Sequence, residues 1–107
     1  MPYIKEEARF ELNECIDNVV QCIGHGNKLS DNDLLVVAGE INYVLTRIIT
    51  KLIGSPSYSK IAIASGVLDN VKQEFYRRYV ATYENDKILE NGDIVEFLAV
   101  KTKDPLY

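Results

Sequence analysis

From Ser30 to Gly54 the apolar residues Leu34, Val37, Ile41, Leu45, Ile48 and Leu52 return at steps of three and four. That period lays them along one side of an α-helix, whereas the side chains of a strand alternate every second residue. Both ends are punctuated. In LSDNDL, Ser30 is placed to cap the helix and Asp33 holds the capping-box position, one methylene short of the preferred Glu. Leu29 and Leu34 stand where a hydrophobic staple needs them, and Gly54 followed by Pro56 closes the segment, so a helix is predicted over 31–53.

A one-sided helix needs something to cover it, and the flanking sequence supplies two more. Ala8, Leu12, Ile16, Val19, Val20 and Ile23 predict a helix over about 5–23, ended by Gly24-His25-Gly26-Asn27. Ile61, Ala64, Leu68, Val71, Phe75 and Tyr79 predict another over about 57–83. Gly39 and Gly66 fall inside helices, each at about 1 kcal/mol relative to Ala, and are expected where another backbone comes close. Beyond Tyr83, KILENGDIVEFLAV sets an Asn-Gly pair between two apolar segments, a hairpin signal. The competing reading continues the third helix to Glu90 with Gly92 as its stop. The expected fold is mainly α, a single domain over 1–107: a three-helix bundle with a C-terminal β-hairpin or extended arm over 84–107. In it Ile94, Phe97, Leu98 and Val100 pack on the bundle or on another subunit.

The composition bounds what such a domain does. With 47% hydrophobic and 26% charged residues it is that of a soluble globular protein, and the net charge of −4 argues against a broad nucleic-acid or anionic-membrane surface. No apolar run has signal-peptide or membrane-spanning length, so the cytoplasm is the expected compartment. Cys15 and Cys22 are separated by about 10 Å of helical rise, too far to pair with each other, and are read as free, half-buried thiols. The acidic run Asp31-Asn32-Asp33 lacks the glycine and glutamate of a calcium loop and is read as a helix cap. His25, the lone histidine, has no nucleophile motif beside it. No metal set, phosphate loop or cofactor site is visible, and enzymatic acid–base chemistry by Glu40 and Asp93 is the minority alternative.

The candidate site residues come from helical geometry. Taking Val71 as the stripe centre of the third helix, Arg78 lies within about 20° of it, Glu74 about 60° to the side and Arg77 about 120° away. Two readings stand: a Glu74–Arg78 pair at a bundle end, or an arginine placed to hold an anionic partner. On the second helix Glu40, Tyr43 and Arg47 follow one border of the apolar stripe. Arg47 and Arg78 are the leading cations for a small anionic ligand, Arg77 mattering less unless another subunit covers it, with Tyr76 or Tyr83 stacking on a base. Tyr76, Val80 and Tyr83 lie opposite the third helix's stripe, which with Phe97 makes them the expected interface of a homo-oligomer; a host or phage protein is the other candidate partner.

Several of these blocks also resemble a known group. MPYIK, GEINYVLTRII at 39–49 and GVLDNVKQEFYRRYVATYENDKILENGDI at 66–94 are similar to a family of small uncharacterised phage and prokaryotic proteins. Its members share Met-Pro-Tyr-Ile, Gly-(Glu/Asp)-Leu-Asn-Tyr, Phe-Tyr-Arg-Arg and Tyr-Glu-Asp…Glu-Asn-Gly-Asp blocks. Ile41 stands here in place of the family's leucine, and VATYEN lacks a proline before its tyrosine. The resemblance implies no reaction and no catalytic residues. It implies a small accessory protein, phage-encoded.

Overall fold

A computed structural model describes residues 2–24 and 29–100. Helix accounts for 83% of them, and no strand occurs among them. The elements are α1 (Glu6–Cys22), α2 (Asp31–Ile53), α3 (Tyr58–Phe75), a π-helical turn (Tyr76–Val80), α4 (Ala81–Asn91) and α5 (Val95–Leu98). The chain divides into two units, Met1–Val67 and Leu68–Tyr107.

In the first unit the helix ends follow the sequence signals closely. The Ser30 hydroxyl accepts from the backbone N–H of Asp33 at 3.3 Å and donates to Asp33 Oδ2 at 2.8 Å. Asp33, being short, takes the hydroxyl proton where a Glu reaches back to the cap's backbone. Gly54 closes α2 at φ 64, and Lys60 Nζ donates to the carbonyls of Ile53 and Ser55, placing a cation on the negative end of that helix. Ser57 caps α3 through the N–H of Lys60. Gly24 takes φ 61, and a Cβ there would come within 2.7 Å of Leu29, so that leucine closes over the end of α1. His25 lies outside the described residues.

Packing departs from expectation. Among the described residues, Val37 is the one large apolar residue of the first unit that is buried, at 9% exposure, and none of the second unit is. The stripes form on their helices, yet Ile16, Leu45, Ile61, Leu68 and Val71 all remain exposed. Cys15 and Cys22 are exposed rather than half-buried. No atom stands within 4 Å of a Cβ built on Gly39 or Gly66, so neither marks a close backbone approach among the described residues.

The C-terminal hairpin is not formed. The third helix runs on through the π turn into α4, and Gly92 is its stop: its N–H bonds to the Ile88 carbonyl at 2.8 Å. An Asn-Gly pair serves a helix end as well as a hairpin, because both call for a positive φ. The following segment breaks the tie: Ile94, Phe97 and Leu98 are spaced for one turn of helix and not for alternation. Gly92 sits at φ 84 and ψ 157, a region open essentially to glycine alone. Its missing Cβ faces open space, so the penalty for a side chain is a backbone penalty. Gly92→Ala and Gly92→Val are therefore expected to destabilise by similar amounts, about 1–3 kcal/mol, in urea titrations followed by helical ellipticity. A large gap between the two would point to crowding instead.

Candidate functional site

The π turn falls on Tyr-Arg-Arg-Tyr-Val, the most aromatic and most basic stretch of the chain. Its closing bond runs from the Ala81 N–H to the Tyr76 carbonyl, five residues back. Such turns widen the helix and change which side chains share a face, and they are frequent at functional sites. Counting at a fixed 100° per residue therefore fails beyond Phe75. Glu74 pairs with Arg77, three residues on: Arg77 Nη2 and Nε both donate to Glu74 Oε1, at 2.6 and 2.9 Å. The carboxylate side chain is 17% exposed and the guanidinium 62%, so the pair anchors an arginine whose head still meets solvent. Just before the turn, the ring of Phe75 stacks on Tyr79 with centroids 5.3 Å apart.

Within the second unit a groove of about 750 Å³ opens between the π turn, α4 and α5. Tyr76, Arg77, Lys87, Ile88, Asp93 and Phe97 line it, together with Glu84 and the amides of Asn85 and Asn91. That volume lies in the range of small-molecule sites. Lys87 Nζ is 3.0 Å from Glu90 Oε2 and 5.5 Å from the ring centre of Tyr83, so its ammonium is held between α4's own side chains. Asp93 Oδ1 accepts from the N–H of Ile94 at 2.8 Å, which fixes the entry into α5. The groove thus joins two cations, two aromatic rings and several hydrogen-bond acceptors.

The candidates from the sequence divide between the two units. Tyr76 and Arg77 share the groove with Phe97; Arg78, Val80 and Tyr83 do not line it, although Tyr83 borders Lys87. Glu40, Tyr43 and Arg47 belong to the first unit. There Arg47 Nη1 donates to the Tyr43 hydroxyl at 2.8 Å and its guanidinium lies 5.6 Å from that ring's centre. Glu40 and Tyr43 line a hollow of about 340 Å³ with Cys22, Ile23, Gly39 and Val44. Lys87 was absent from the sequence candidates because the hairpin reading put it in the arm. Its spacing from Tyr83 and Glu90, four and three residues, is the helical signal that marks it.

Among the described residues no group of three or more His, Cys, Asp or Glu is placed to hold a metal ion, and no helix is long and apolar enough to cross a membrane. No curated protein and no solved structure matches the chain. A family model does match, over residues 1–94, which include the π turn, α4 and most of the groove lining. The chain belongs to the family described as Domain of unknown function (DUF6899).

Proposed function

We propose that the protein is a non-enzymatic, homo-oligomeric binding protein, phage-encoded, that captures a small anionic ligand of the nucleotide class in the groove of the second unit. The observation that carries the ligand reading is the groove's mixed lining. Arg77 and Lys87 suit phosphate, Tyr76 and Phe97 offer faces for a base, and Glu84 and Asp93 accept from exocyclic amines. The oligomer reading rests on burial: with one large apolar side chain buried among the described residues, the chain holds too little apolar surface away from water to offset the entropy of ordering its helices. The phage setting rests on the resemblance of MPYIK, GEINYVLTRII and the 66–94 stretch to blocks of small phage and prokaryotic proteins.

Titration calorimetry of the intact protein with a panel of mono-, di- and cyclic nucleotides tests the ligand reading. At least one member of the panel is expected to bind and to raise the melting temperature. No heat and no thermal shift across the panel would remove the nucleotide, and a role in docking on a host or phage protein through the exposed Tyr76, Tyr83 and Phe97 would take its place.

A further inference from the structure

The groove of the second unit differs from end to end. Arg77 comes from the π turn, Lys87 from α4, Asp93 from the junction with α5 and Phe97 from α5 itself. Both cations have carboxylate partners outside the lining: Arg77 pairs with Glu74 and Lys87 with Glu90. Among the described residues Asp93 has no ion partner, and its one hydrogen bond is that which Oδ1 accepts from the Ile94 N–H at 2.8 Å. That bond fixes the bearing of the carboxylate and leaves most of its lone-pair sites open. Asp93 is also half-buried, whereas Glu84, the other acid of the lining, is exposed and longer by one methylene.

A carboxylate only accepts, through two oxygens side by side. It matches a ligand edge with two adjacent donors and repels one that sets a lone pair against it. Among the common bases guanine alone has such an edge, N1–H beside the N2 amine. Adenine and cytosine set one amine beside the lone pair of a ring nitrogen, and uracil sets its single N–H between two carbonyls. Stacking does not choose, because every base has a π face. The choice therefore falls to the carboxylate. Phe97, four residues after Asp93, supplies a ring at the same end of the groove, and the amides of Asn85 and Asn91 offer donors for guanine O6.

We infer that the groove selects guanine nucleotides, the Asp93 carboxylate accepting from N1–H and the N2 amine while the phosphate lies toward Arg77 and Lys87. The inference rests on the nucleotide reading above and adds to it the base and the residue that reads it.

Titration calorimetry of the intact protein tests it, with the mono-, di- and cyclic nucleotides each supplied in guanine, hypoxanthine, adenine and xanthine forms. Hypoxanthine lacks the N2 amine, and xanthine carries a carbonyl in its place. Guanine forms are expected to bind at least about tenfold more tightly than the other three, the lower end of what a hydrogen bond to a charged group contributes. Asp93→Asn keeps an oxygen for the Ile94 N–H and exchanges one acceptor for a donor. In that variant guanine is expected to weaken by at least about tenfold and xanthine to become the preferred base. Glu84→Gln is expected to leave the order of bases unchanged. Helical ellipticity checks that each variant is folded, and the comparison of guanine with hypoxanthine needs no variant at all. Adenine or hypoxanthine forms binding as tightly as guanine forms would overturn the inference and leave the nucleotide reading standing. A guanine preference that survives Asp93→Asn, or that is lost in Glu84→Gln, overturns the role of Asp93. No binding by any member of the panel overturns the nucleotide reading and this inference together.

Discussion

Val37→Asp is expected to abolish cooperative unfolding of the first unit. Val37 is the one large apolar side chain buried among the described residues of that unit, and it sits on α2 two turns after the Ser30 cap. No polar or charged residue is buried among the described residues, so a carboxylate there finds no buried partner, and placing an unpaired charge in such a position costs about 3–5 kcal/mol. A small domain holds only about 5–15 kcal/mol in total, and helices of this length are marginal without tertiary support. Val37→Ala removes two methyl groups and keeps the site apolar, so a loss of about 2 kcal/mol is expected. Urea titration followed by ellipticity ranks the three proteins, with Leu89→Asp as an exposed control on α4 expected to stay close to wild type. Equal midpoints for Val37→Asp and wild type would mean that Val37 anchors nothing.

The second large effect is on binding. Arg77→Ala is expected to weaken a nucleotide-class ligand by about tenfold to more than a hundredfold, the 1.5–3 kcal/mol of a charge-assisted hydrogen bond. The exposed half of the Glu74–Arg77 pair contributes little to the fold, since pairs open to solvent are worth about 0–1 kcal/mol. Binding and stability should therefore separate in this variant. Glu74→Ala frees the guanidinium from its two bonds to Oε1, so an intermediate, several-fold loss follows from lost positioning alone. Arg78→Ala and Arg47→Ala serve as the discriminating pair, because neither residue lines the groove. Calorimetry that found Arg78→Ala the more damaging change would transfer the site to the other side of the π turn.

The different fates of these residues show what the sequence made legible. Caps and stops are local chemistry, and Ser30, Gly54, Ser57 and the closure of α2 at Ile53 are read directly from neighbouring residue types. The stripes were legible as helix periodicity, but periodicity does not say what covers a stripe. The mainly helical character follows the pattern, and the part of the expected fold that does not form is the C-terminal hairpin. Asn91-Gly92 was ambiguous because a positive φ at glycine satisfies two different endings, and only the spacing of Ile94, Phe97 and Leu98 favours the helical one. Glu74 pairs with Arg77, three residues on, and because residues three and four apart share a helix face the wheel alone does not choose between Arg77 and Arg78. The wider turn itself was not legible, since nothing in Tyr-Arg-Arg-Tyr-Val announces one.

That wider turn also bears on chain length. The Ala81 N–H and the Tyr76 carbonyl are joined across five residues; with one residue fewer between them, the same two groups would form an ordinary α-helical bond. The stretch is thus an α-helix holding one surplus residue, whose excess is absorbed within Tyr76–Val80 rather than passed on to α4. Loss of a residue here would leave α4 and its Lys87 on their present bearing toward α5, while the same loss inside α3 or α4 would swing every later side chain by about 100°. Single-residue changes in length are therefore absorbed in the basic aromatic block and disruptive on either side of it. The block sets the bearing of the groove.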